Sequence, residues 1–199
     1  MTNLDLVTYL RTINACPEAL EWLGDRDLAT AWAACQRADW MLWLAEKVNI
    51  SKRQFVRVAA LCAQTAEKYT DDKRVVDCNL TALRWADGKA TDEELKAAAE
   101  AAWAAGTTGT TGTTGTAWAA GAAWAAEAAR ATGAAWAAWA AEAARATGAA
   151  WAAEAARATG AAWDARVAAE MAALSQMADI VRANITVEDI KLAIKMTKP

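Results

Sequence analysis

Adjacent carboxylates, tryptophans set beside arginines, and a glycine-rich polar run are the features of this chain whose residue types and spacing could do chemistry. Asp71 with Asp72 and Glu93 with Glu94 could share a proton or hold a cation, but the 199-residue chain contains no histidine. That removes the commonest general base and the commonest nitrogen ligand for a metal together. Both pairs stand where helices should begin, and the helix dipole favours negative charge there. They are read as helix-start charges.

Gly106 to Thr116 has the glycine content of a phosphate cradle, yet it lacks both the Lys-Ser/Thr ending and the preceding strand of a P-loop. The four cysteines, Cys16, Cys35, Cys62 and Cys78, are 19, 27 and 16 residues apart, which fits neither a CxxC pair nor a zinc spacing. Each falls in an apolar helical context and is expected to pack as a reduced core residue of a cytoplasmic protein. No motif supplies a nucleophile with its base, so the expectation is a protein that is not an enzyme, with no cofactor and no metal.

The tryptophans and arginines belong to a three-residue repeat running from Glu100 to Arg166, in which a variable residue is mostly followed by two alanines. Trp faces beside guanidinium groups can stack nucleobases or hold aromatic side chains of a partner. The candidate binding residues are therefore Trp118, Trp124, Arg130, Trp136, Trp139, Arg145, Trp151 and Arg157. The competing reading packs the tryptophans on a helical domain and leaves Glu and Arg in water.

Two helical geometries could position that column. In a 3₁₀-helix, with about three residues per turn, the variable residues form one straight line. In an α-helix the column winds around the axis, although Trp118, Trp124, Trp136 and Trp139 still fall within about 60° of Trp103. Alanine's propensity favours the α-helix. Against it, the glycines Gly121, Gly133, Gly148 and Gly160 follow one another at 12, 15 and 12 residues, a spacing that keeps the triplet phase and breaks the α-helical one. Both geometries stay open.

The rest of the chain reads as ordinary amphipathic helices, and the expected fold is all-α: a helical domain over residues 1–99, the Ala-rich segment over 100–166, and C-terminal helices over 167–199. Leu4 to Ile13 forms a short helix, and Pro17 opens a second that Gly24 ends. Residues 27–48 form one helix with Trp32, Cys35, Leu42 and Trp43 near one face, where Trp32 and Trp43 are expected in the core. Trp40 lies off that stripe and is the tryptophan expected to line a groove.

Ser51 with Gln54 is a capping box opening a helix whose buried stripe is Phe55, Val58, Ala59, Cys62 and Ala66. Asp71 and Asp72 open the next, with Val76, Leu80, Leu83 and Trp85, and Gly88 stops it. Thr91 with Glu94 is a second capping box. Beyond the repeat, Met171, Leu174, Ala178 and Val181 share a face, and Thr186 caps a last helix bearing Val187, Ile190 and Ile194. No segment alternates with period two, so no sheet is expected.

Net charge −3, from 21 Lys+Arg against 24 Asp+Glu, argues against a general nucleic-acid or acidic-membrane binder. Charges or glycines interrupt every window long enough to span a bilayer, and the first ten residues lack a signal-peptide pattern.

Four segments then carry a resemblance: Ala15-Cys16-Pro17-Glu18-Ala19-Leu20-Glu21-Trp22-Leu23, Asp39-Trp40-Met41-Leu42-Trp43-Leu44, Trp85-Ala86-Asp87-Gly88-Lys89-Ala90-Thr91 and Gln176-Met177-Ala178-Asp179-Ile180-Val181-Arg182. They resemble recurrent segments of the Imm-5-like immunity-protein family of bacteriophages and bacteria, whose middle is rich in alanine and tryptophan. The Gly-Thr-Thr run departs from that family's pattern. The resemblance implies a stoichiometric inhibitor, for immunity or counter-defence, that masks a protein partner in the host cytoplasm. It brings no catalytic residues.

Two alternatives stand beside it: an assembling rod built on the repeat, extending roughly 130 Å if straight and 3₁₀, and sequestration of a nucleotide-like ligand by Trp and Arg. Light scattering separates the rod from the others. A homo-oligomer is open under each.

Overall fold

The computed structural model describes residues 3–65, 67–69, 72–107 and 162–197, and every regular element in them is helical. The fold is all-α, as the sequence predicts. In chain order the helices are α1 (Asn3–Thr12), α2 (Pro17–Leu23), α3 (Leu28–Ala34), α4 (Ala38–Lys47), α5 (Lys52–Gln64), a 3₁₀ turn (Glu67–Tyr69), α6 (Lys73–Ala86), α7 (Asp92–Thr107), α8 (Ala162–Asn184) and α9 (Val187–Thr197).

Local chemistry places most of the helix ends. Ser51 Oγ accepts from the Gln54 N–H at 3.3 Å, Thr91 Oγ1 from the Glu94 N–H at 3.2 Å, and Thr186 Oγ1 from the Asp189 N–H at 3.1 Å. In the last two boxes the carboxylate reaches back to the backbone N–H of Thr91 at 2.7 Å and of Thr186 at 2.8 Å, which satisfies two otherwise orphaned donors per helix. Asp27 and Asp72 cap α3 and α6 through their carboxylates. Helices α1 and α4 end on Asn14 (φ 61°) and Asn49 (φ 59°), left-handed positions that asparagine tolerates. Gly88 (φ 75°) ends the turn after α6, and a Cβ there would lie 2.9 Å from the Arg53 guanidinium.

Residues 27–48, expected as one helix, are two. The chain leaves α3 at Cys35 (ψ 122°) and re-enters at Ala38. The cause lies far along the sequence: Arg182 Nη1 donates to the carbonyls of Trp32, at 3.4 Å, and of Cys35. These groups at the end of α3 thus find a charged donor instead of the next turn of helix, and charge-assisted bonds of this kind are the stronger class.

One core joins both ends of the chain. Helices α5, α6 and α7 pack in sequence, α8 lies against α4 and α5, and α9 against α3. Met177, Val181, Ile185, Ile190 and Ile194 are buried in the same cluster as Leu6, Leu42, Phe55 and Leu95.

Phe55, Val58, Ala59 and Cys62 are buried as expected, while Ala66 lies outside the described residues. The inward face of α6 is Val75, Cys78, Asn79, Ala82 and Ala86; Leu80 is 48% exposed. Met171, expected on the buried face of α8, is 62% exposed, because that face first meets α4 and α5 further along, at Met177, Ala178 and Val181.

Candidate binding groove

Helices α1 to α4 surround an apolar cavity of about 420 Å³, within the size range of pockets that hold drug-sized ligands or a few large side chains. Leu6 and Leu10 of α1 and Leu23 of α2 form its aliphatic wall, and Trp32 and Met41 contribute buried surface from α3 and α4. Three half-buried indoles, Trp22, Trp40 and Trp43, complete the lining.

The floor is held in place by hydrogen bonds. The Trp32 indole N–H donates to the Ile185 carbonyl at 3.1 Å, so the ring that backs the groove is fixed by the segment between α8 and α9. Asn3 ties the other wall, its Nδ2 donating to the carbonyls of Gly24 at 2.9 Å and Arg26 at 2.7 Å. The α2–α3 connection therefore follows the start of α1.

Each lining indole that reaches solvent carries a cation on its ring. The Arg26 guanidinium lies 5.0 Å from the Trp22 centroid, Arg37 4.4 Å from Trp40, and the Lys47 ammonium 6.0 Å from Trp43. Trp22 and Trp40 also meet edge to face, with centroids 6.0 Å apart, an arrangement in which a ring edge approaches the negative face of its neighbour. Asp39 is the charged residue of the lining. Both its oxygens are engaged by Arg37, at 2.9 and 2.7 Å, and that bond raises the Arg37 pKa.

Two thiols line the groove and behave differently. Burial pushes the Cys35 thiol above its ordinary pKa, and its Sγ donates to the Arg37 carbonyl at 3.5 Å. It is a neutral packing group. Cys16, at the start of α2, is exposed, which corrects the expectation that all four cysteines are core: Pro17 begins the helix directly after it, and the N-cap position faces solvent. Cys62 and Cys78 are buried, and burial pushes Cys62 up to about 12.

Trp40 lines the groove as the sequence suggests. Trp32 is 6% exposed and belongs to the core, whereas Trp43, expected there too, is half-buried and lines the groove from the other side. The break between α3 and α4 explains the difference, since it removes Trp43 from the face that Trp32 defines.

The candidate binding residues Trp118, Trp124, Arg130, Trp136, Trp139, Arg145, Trp151 and Arg157 all lie outside the described residues, as does the question of a 3₁₀ or an α-helical repeat. The carboxylates weighed as catalysts have structural partners where they are described: Asp72 caps α6 and pairs with Arg74 at 2.6 Å, and Glu94 closes its capping box. Glu93 is an exposed first-turn residue and Asp71 is outside the described residues.

Among the described residues no group of three or more Cys, Asp or Glu side chains could hold a metal ion, and no described helix is long and apolar enough to cross a membrane. No family model, curated protein or solved structure matches this chain.

Proposed function

We propose that this protein is a non-catalytic, stoichiometric binder that takes a segment of a protein partner into the groove between α1 and α4. The observation that carries this reading is the lining itself: an apolar cavity rimmed by Trp22, Trp40 and Trp43. Tryptophan and arginine dominate binding hot spots because they bury large area while keeping a polar or charged handle. The neutral Cys35 thiol and the paired Asp39 give the groove shape and polarity rather than a nucleophile and a base.

An immunity or counter-defence inhibitor acting in the host cytoplasm is the biological form of this activity that the resembling segments favour. Two of them, Ala15 to Leu23 and Asp39 to Leu44, supply Trp22, Trp40 and Trp43. Such an inhibitor works by occupancy, so its effect saturates at a fixed molar ratio.

A tagged copy and the same protein alkylated at Cys16 with a bulky maleimide form the test, using lysate of infected or host cells. A protein captured by the first, absent from the second, and bound at a fixed ratio on purification is the expected result. Capture that survives alkylation would remove the groove from the reading, and turnover of any substrate by the pure protein would end it.

A further inference from the structure

We infer that the groove is conditional: it exists while Arg182 of α8 keeps α3 and α4 apart, and closing these two into one helix dismantles it. This rests on the groove being the binding site, and adds what controls it. The break carries no local stop signal. Residues 33–40 hold no glycine or proline, α4 starts without a side-chain cap, and the alanines, glutamine and arginine of that stretch favour helix.

Arg182 competes directly with helix closure. The carbonyls that its Nη1 engages, of Trp32 and Cys35, are those that in a continuous helix accept from the N–H groups of Gln36 and Asp39. The Arg37–Asp39 ion pair also belongs to the broken form, since side chains two apart in a helix do not face each other, but it is exposed and holds little. The Arg182 side chain is only 22% exposed, is anchored by Asp179 at 2.6 Å, and places Nη1 4.0 Å from Met41 Sδ. Trp32, Cys35 and Met41 all line the groove.

With Arg182 removed, the broken form carries carbonyls without a donor, and closing the helix satisfies them. Trp43 then lies about 20° from Trp32 around the helix axis and leaves the groove wall. Arg182 is thus a positioning residue for binding, and filling of the groove and seating of α8 favour one another.

Three full-length variants, Arg182→Gln, Gln36→Pro and the two combined, test this. Proline at position 36 removes the N–H that closure would give to the Trp32 carbonyl, and favours before it the extended backbone that Cys35 already has (φ −68°, ψ 122°). Amide exchange over residues 36–40 reads closure, because the first N–H groups of α4 lack intrahelical partners in the broken form. N-phenyl-1-naphthylamine, a neutral fluorescent probe of apolar sites, reads the groove together with protection of Cys16 from a maleimide. Arg182→Gln is expected to slow exchange over 36–40 and to weaken the probe about tenfold, as when a tenth of the molecules keep the competent form. The double variant should regain the parent's affinity, and Gln36→Pro alone should match the parent.

Unchanged probe affinity in Arg182→Gln, faster exchange over 36–40, or a double variant that stays weak would each overturn the switch and leave Arg182 a brace. If Arg182→Gln does not fold, Arg182→Lys, which keeps the charge without the planar fork, is read in the same way. A parent that binds no probe would remove the groove as an apolar receptor, and the exchange pattern would still decide the switch.

Discussion

Arg182 shows how one side chain sets the local course of the chain. Its guanidinium reaches the carbonyls of Trp32 and Cys35 and the Asp179 carboxylate at 2.6 Å, so it joins α8 to the end of α3. Arg182→Ala would leave part-buried carbonyls without a donor, and the expected loss is about 1–3 kcal/mol by chemical denaturation. Arg182→Lys should recover only part, because an ammonium lacks the planar fork that serves several acceptors at once. Trp32→Ala removes a buried ring together with its bond to the Ile185 carbonyl, and should cost about 3–5 kcal/mol. The cysteines provide a check that needs no mutation: in the native protein a thiol reagent should titrate Cys16 rapidly, and Cys35, Cys62 and Cys78 only after denaturant is added. Rapid reaction of more than one thiol would mean that the bundle is looser than its burial indicates.

The helix ends were the part of the architecture most legible in the sequence, because capping is local. Ser51, Thr91 and Thr186 stand at the boundaries their motifs predict, and Pro17 and Gly88 mark a start and a stop. The break between α3 and α4 was not legible. No glycine or proline marks it, and its carbonyls are satisfied by Arg182, 147 residues away from Cys35. Half of the groove was hidden for the same reason: Trp40 stood out as a residue off the stripe, but the walls from α1 and α2 depend on how the elements meet. The caps also set the response to acid. Asp27 is held below the ordinary aspartate value of 3.8 by the Thr30 backbone N–H and then its side chain, and Asp72 by the Arg74 guanidinium and then its backbone N–H. Since the folded pKa is the lower one, this stability is complete above the ordinary value and is lost as pH falls through the depressed values. The double change Asp27→Asn and Asp72→Asn keeps both caps in neutral form, so melting at neutral pH should fall only slightly while the loss on acidification below about pH 4 becomes shallower. Melting curves across that range decide it, and an unchanged acid limb would assign the acid sensitivity to other carboxylates.

At the scale of the whole molecule, the helices after the repeat complete the core that the helices before it begin. Ile185, Ile190, Ile194 and Met177 are buried with Leu42, Val58 and Trp32, and the Trp32 to Ile185 bond spans 153 residues. The core cannot spare α8 and α9. A chain ending at Thr107 would expose the faces of α3, α4 and α5 that these helices cover, and would lose the Arg182 donor as well. It should therefore unfold without a sharp transition, or melt far below the parent. Because every contact it loses is non-covalent, a separate peptide of residues 162–199 should restore cooperative melting when added, and should move the emission of Trp32 back toward the blue. Circular dichroism and fluorescence of the truncated chain, with and without the peptide, make the measurement. Cooperative melting of the truncated chain at the parent's temperature would show that the first seven helices close a core by themselves, and that the C-terminal pair is an appendage to it.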